Sequence, residues 1–226
     1  MMIIRTITMA LLANLVVAGL VFAASPYAAG TAGGFLGRPL LEVEQQSFFK
    51  EFQLAELAKR WTPYGAEVVV FKPKQPTVHF EIAVTVDKAD RVLAVQLWLR
   101  RTFLDEGSGE TVARQVVEKF LREVPPSEDV RRLDDLADEI QHGDAAGHGA
   151  VGGDQSKGGQ PANPSAGYLA FMGKRGTYQQ ALGESRLQIL NYRDRYGPVM
   201  TLQVVPIGSG KREQAALERS SRRHSG

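Results

Sequence analysis

The stretch from His142 to Gln155, HGDAAGHGAVGGDQ, holds two of the four histidines of the chain and two aspartates among glycines. Imidazole and carboxylate groups bind zinc, nickel or copper when a fold brings them together. Ordering a glycine-rich backbone costs roughly 1–2 kcal/mol per residue, which opposes such a site. The composition therefore favours a flexible linker that binds no metal specifically, and metal capture is the alternative. The candidate ligands are His142, Asp144, His148 and Asp154.

A second candidate metal site lies just before this stretch, at Asp134, Asp138 and His142. The spacing of four residues places these three side chains along one side of a predicted helix. Like charges at that spacing repel each other, so the row needs a counter-ion or a basic partner. Zinc usually takes four ligands, and His148 is the nearest fourth. We expect a solvated acidic helix face here, with weak metal binding as the alternative.

Four residues on two predicted neighbouring strands are the candidates for ligand binding: His79, Glu81, Trp98 and Arg100. Strand alternation puts them on the sheet face opposite the core, with His79 and Glu81 about 6.5 Å apart. They could line a shallow pocket, and a histidine with a glutamate can transfer protons. No nucleophile, oxyanion donor or cofactor motif accompanies them. The pattern therefore favours an ordinary exposed face stabilised by cross-strand pairs, with a ligand-binding pocket as the alternative.

Composition and motifs argue against several classes of protein. The chain has no cysteine, which excludes disulfides, thiol catalysis and thiolate zinc sites. The net charge of +2 gives no field that would attract nucleic acid. The sequence GSGK at residues 208–211 lacks the glycine spacing and the Ser or Thr of a phosphate loop, and no other hydrolase, zincin or dinucleotide motif is present. We therefore expect no cofactor, no nucleic-acid partner and no enzyme activity, with an unrecognised enzyme as the alternative.

The N-terminus has the three parts of a secretory signal peptide. Arg5 precedes an apolar run from Ile7 to Phe22, which ends in the small-residue pattern that closes at Ala23. We predict cleavage after Ala23 and export to the periplasm or the extracellular space. The alternative is an uncleaved anchor, which would then be the only membrane contact.

The first half of the remaining chain predicts a leader, a helix and three strands. Residues 24–42 are rich in Gly, Ala and Pro and predict an extended leader. Residues 43–61 predict a broad amphipathic helix that packs on the core, with a membrane-surface helix as the alternative. Alternating apolar residues then predict strands over 66–72, 77–87 and 91–103.

The second half predicts helices over 110–124 and 128–142, a flexible Gly-rich loop over 143–166 and strands over 168–173, 185–193 and 198–206. Residues 207–226 predict a disordered basic tail. A single α+β domain over 43–206 follows, with a mostly antiparallel sheet of two three-strand groups and helices on one face. In the order of its elements it is similar to small secretion-chaperone-like domains, and that likeness implies architecture alone.

The function that this reading favours is a non-catalytic binding or assembly module of the cell envelope. Its partner would be another envelope protein or a small ligand. The alternatives are an unrecognised enzyme acting on a small ligand and a protein that handles divalent metals weakly.

Overall fold

The structure, a computed structural model, describes residues 34–62, 65–75, 79–105, 107–126, 130–131, 133–142 and 164–207. Seven strands in these residues form one antiparallel sheet in the order β1-β2-β3-β4-β7-β6-β5. The α+β class with a mostly antiparallel sheet is therefore confirmed. The strands are β1 (Leu54–Trp61), β2 (Glu67–Pro73), β3 (Phe80–Val86), β4 (Val92–Arg100), β5 (Thr177–Leu182), β6 (Ser185–Asp194) and β7 (Gly197–Pro206). The helices are α1 (Leu40–Glu44), α2 (Ser47–Glu51), α3 (Arg101–Asp105), α4 (Gly107–Glu123), α5 (Asp134–His142) and α6 (Ala166–Phe171).

Strands β3 and β4 form where alternation predicts a hairpin. The carboxylate of Asp87 closes their turn by accepting bonds from the backbone N–H groups of Ala89 and Arg91, at 2.8 and 2.9 Å. Asp90 adopts a left-handed φ of 60°, which aspartate tolerates better than most residues. The turn, together with a shift of one residue at Leu93 in the pairing of β3 with β4, places Glu81 opposite Trp98.

The predicted helix over 43–61 is wrong in its second half. Two short helices, α1 and α2, are followed by a break at Gln53, whose φ is 48°, and then by strand β1. Residues such as Leu, Ala, Glu and Lys favour a helix in isolation, but here every residue of β1 except Leu57 pairs with the valine-rich β2. The first group of strands therefore has four members rather than three.

The predicted strand over 168–173 is also wrong, because most of that segment is helix α6. The Ser165 side chain caps the helix by accepting a bond from the Tyr168 N–H at 3.1 Å. The first strand of the second group is instead β5, which lies further along the chain. Ser165 also shows that the end of the predicted loop belongs to the packed structure, since its N–H donates to Glu139 at 2.8 Å.

The predicted leader over 24–42 is wrong from Gly34 onward. Phe35, Leu36 and Leu40 are buried in the main core, and the Phe35 N–H donates to the Val124 carbonyl at 3.0 Å. The signal peptide over 1–23, the rest of the leader, most of the 143–166 loop and the tail after Ile207 lie outside the described residues. In the described ranges, no helix is both long enough and apolar enough to cross a membrane.

The sheet has two faces with different neighbours. The strand residues of one face share a single large core cluster with buried residues of all six described helices. The other face, called the outer face below, carries two small clusters made of strand residues alone. Its residues alternate with the core residues along the strands and include Val68, Val70, Ala83, Ala94, Trp98 and Val205.

Candidate binding face

A row of three polar side chains crosses the middle of the outer face. Glu81 on β3 lies directly opposite Trp98 on β4, and Trp98 lies directly opposite Thr201 on β7. Residues paired in this way point to the same face of a sheet, with neighbouring strands about 4.8 Å apart. The three side chains are called the polar row below. Their strands come from both halves of the chain.

Each member of the polar row has a buried polar atom without a hydrogen-bond partner. These atoms are Glu81 Oε2, Trp98 Nε1 and Thr201 Oγ1. The carboxylate oxygen can accept a bond, the indole N–H can only donate one, and the hydroxyl can do both. A buried polar group left unbonded costs about 1–3 kcal/mol, so the row is unfavourable for folding. The row therefore holds an acceptor, a donor and a hydroxyl that can be either, each covered by neighbouring side chains and without a partner.

Burial raises the pKa of the Glu81 carboxyl above its ordinary value. The nearby charges of Arg100 and Lys72 lower that pKa, but the desolvation of the carboxylate is the larger effect. The partial burial therefore favours the neutral acid, which can also donate a hydrogen bond.

Arg100 lies on the outer face beside the polar row and is held there by an ion pair. Its Nη1 lies 2.7 and 2.8 Å from the two carboxylate oxygens of Asp194 on β6. Its guanidinium also lies over the ring of Tyr196, 5.5 Å from the centroid. Arg100 is therefore fixed in position, and its charge is largely compensated by Asp194.

His79 is the one predicted ligand-binding residue that is not gathered into this group. It precedes the first residue of β3, and its ring meets the edge of the Phe103 ring at a centroid distance of 5.9 Å. Phe103 belongs to α3 and to the main core. A proton-transferring pair of His79 with Glu81 has no support in this arrangement.

Sequence reasoning did not find Thr201 or the glutamines next to it. Alternation within β7 assigns Thr201 to the side opposite Met200 and Leu202, but it does not show that β7 lies beside β4. The same strand order lines up four glutamines across β4, β7, β6 and β5, two residues along from the polar row. They are Gln96, Gln203, Gln188 and Gln179, each directly opposite the next.

The spacing within the polar row does not favour acid–base catalysis. Glu81 and Thr201 are separated by β4, which puts their backbones about 9.5 Å apart, with the Trp98 side chain between them. A general base must reach the proton that it removes at hydrogen-bond distance or through one water. The arrangement is better suited to contacting a partner at several points.

The predicted metal stripe on α5 has a counter-ion from the protein itself. Arg122 of α4 donates to Asp134 at 3.0 Å and to Asp138 at 2.7 Å. The His142 Nδ1 lies 3.0 Å from the backbone oxygen of Asp138, and His148 lies outside the described residues. No group of three or more potential ligands in the described ranges is arranged to hold a metal ion. Arg122 is the basic partner that the acidic residues of α5 require, and sequence reasoning did not name it.

Comparison of the chain with protein-family models, curated proteins and solved structures finds no match. The likeness of element order to secretion-chaperone-like domains gains no support from these comparisons. The outer face is therefore the feature from which we infer a function for this protein.

Proposed function

We propose that this protein is a non-catalytic binding or assembly module whose partner contacts the polar row of the outer face. The observation that carries the proposal is the alignment of three unbonded polar atoms on neighbouring strands. A partner group that donates to Glu81 and accepts from Trp98 would remove an energetic cost that the free protein bears.

The division of the sheet into two faces supports the same proposal. All six described helices contribute to one core cluster, so we place the helices on one face and the partner on the other. The exposed Tyr192 and the partly buried Arg100 on the outer face belong to residue types that are enriched in binding surfaces. The partner would be another envelope protein or a small ligand.

Site-directed photo-crosslinking tests this proposal. A photoreactive phenylalanine analogue at Leu190, which lies opposite Thr201, reports contacts of the outer face without altering the polar row. The matched control carries the same analogue at Leu41, an exposed residue of α1. We expect discrete adducts from position 190 in the native host and none of the same mass from position 41.

The specificity of that adduct is tested by conservative changes in the row. Trp98→Phe removes the indole N–H and keeps an aromatic ring, and Glu81→Gln removes the charge and keeps the size. Either change should reduce the yield of the adduct. Equal yields in these variants, or identical adducts from positions 190 and 41, would count against the outer face as the binding surface.

We also propose that the protein works outside the cytoplasm, after cleavage at Ala23. The tripartite N-terminus supports this. N-terminal sequencing of the protein recovered from the envelope and medium should begin at Ala24. Recovery of a membrane-bound form that retains residues 1–23 would favour the anchored alternative.

A further inference from the structure

Strand β1 is an end strand of the sheet, and its second edge pairs with no other described strand. Such an edge presents backbone N–H and C=O groups that can pair with another strand. Two large apolar side chains lie exposed along it: Trp61 is 62% exposed and Leu57 is 37% exposed. Tryptophan is among the residues that contribute most to binding between proteins.

The sequence of β1, LAELAKRW, is complementary to itself when two copies run antiparallel. A two-fold axis between Leu57 and Ala58 places Glu56 of each copy opposite Lys59 of the other. The same register places Leu54 opposite Trp61. Opposite charges and apolar pairs at directly opposed positions stabilise neighbouring strands. Because the axis is two-fold, every favourable pair occurs twice.

The irregularity in β1 is what makes this register possible. The pairing with β2 skips Leu57, so that Glu56 lies opposite Phe71 and Lys59 lies opposite Val69. Phe71 and Val69 both belong to the main core cluster, so Glu56 and Lys59 point to the same face of the sheet. Without the bulge, residues three positions apart would point to opposite faces.

From this complementarity we infer that a second copy of the chain pairs along β1, joining the two sheets across a two-fold axis. Glu56 and Lys59 already form an ion pair within one copy, at 3.0 Å, and each side chain is nearly half exposed. Dimerisation exchanges these pairs for pairs between copies, so the charges select the register more than they add affinity. The dimer is weak, because an eight-residue edge buries less surface than a standard stable interface.

Sedimentation velocity over micromolar to millimolar protein tests the association. Lys59→Glu puts like charges opposite each other twice and should weaken the dimer roughly tenfold. Glu56→Lys should do the same, and the double exchange Glu56→Lys with Lys59→Glu should restore the dimer. Lys50→Glu is the matched control, because Lys50 is an exposed lysine on α2 and should leave the association unchanged.

Disulfide crosslinking tests the register independently. The chain has no cysteine, so Glu56→Cys and Lys59→Cys proteins each carry a single thiol. Directly opposed strand residues have Cα atoms about 5 Å apart, which suits a disulfide. A crosslink that forms in the mixture of the two proteins, and much less in either alone, is the expected result. A monomer at every concentration, a double exchange that does not restore association, or equal crosslinking with Lys50→Cys would overturn the inference.

Discussion

The face of the sheet that shares the main core cluster with the helices, called the helix-covered face below, and the outer face differ in how most of their buried polar groups are bonded, although Gln141 Oε1 on α5 is also buried without a partner. On the helix-covered face, the buried Arg101 donates to the Ala170 carbonyl at 3.1 Å and to the Asn191 side chain at 2.6 Å. On the outer face, Glu81, Trp98 and Thr201 each retain a buried polar atom without a partner. Completed bonds stabilise a fold and unbonded groups cost it free energy. We therefore expect the helix-covered face to account for most of the stability, and we propose that the unbonded groups of the outer face serve a partner.

The largest expected effect comes from the aromatic centre of the helix-covered face. Phe48 is fully buried and its ring packs against those of Phe35, Phe49, Phe52, Phe80 and Phe120. Phe48→Ala should lower the free energy of unfolding by about 3–5 kcal/mol, because it leaves a cavity in the core. Urea denaturation measures this change. A loss under 1 kcal/mol would mean that this face is not the main source of stability.

A smaller loss is expected at Gly34, the first residue that the structure describes. Its φ is +89°, and an added Cβ would lie 2.5 Å from the backbone oxygen of Pro125. Gly34→Ala should therefore cost about 1–3 kcal/mol in the free energy of unfolding. Gly197→Ala separates the cost of the positive φ from the cost of the close contact, because Gly197 has a φ of +122° with no atom near its missing Cβ. If Gly34→Ala costs no more than Gly197→Ala, the close approach to Pro125 adds nothing.

The charge of Glu81 should make the stability depend on pH. Its pKa is raised in the folded state, so the folded protein binds the proton more tightly than the unfolded chain does. The contribution of Glu81 to the free energy of unfolding is therefore largest below its ordinary pKa of 4.5, and it is lost as the pH rises through the raised pKa of the folded state. Glu81→Gln should not show this loss, so the stability of the variant should rise relative to that of the wild type as the pH rises. Urea denaturation at several pH values, with Asp135→Asn as an exposed control, measures the difference.

The smallest effect is expected for divalent metals at α5. Because Arg122 already pairs with Asp134 and Asp138, zinc titration should show no sub-micromolar one-to-one binding. Arg122→Ala should strengthen zinc binding only modestly, since one helix supplies fewer than four ligands. Calorimetry measures both. Tight binding by the wild type that disappears in His142→Ala would contradict this view of the acidic face.

The sequence predicts the elements whose side-chain pattern is unambiguous. Alternation along β3 and β4 and the long apolar stripe of α4 predict those elements to within a few residues. The sequence pattern does not predict strand β1, because its residues favour a helix and its strand conformation depends on pairing with β2. Glu81, Trp98 and Arg100 could be named from alternation alone. Thr201 could not, because its place beside Trp98 depends on the order of strands from two distant segments.

A comparison of two buried hydroxyl groups tests most directly whether the polar row serves binding rather than folding. Thr201 Oγ1 has no partner, whereas Ser185 Oγ donates to the Leu182 carbonyl at 3.2 Å. If the polar row serves binding rather than folding, Thr201→Val should leave the free energy of unfolding unchanged or raise it, while Ser185→Ala should lower it by about 1 kcal/mol. Urea denaturation of both variants at neutral pH gives the comparison. If Thr201→Val loses as much free energy of unfolding as Ser185→Ala, the polar row contributes to the stability of the fold, and the proposal that it serves binding is wrong.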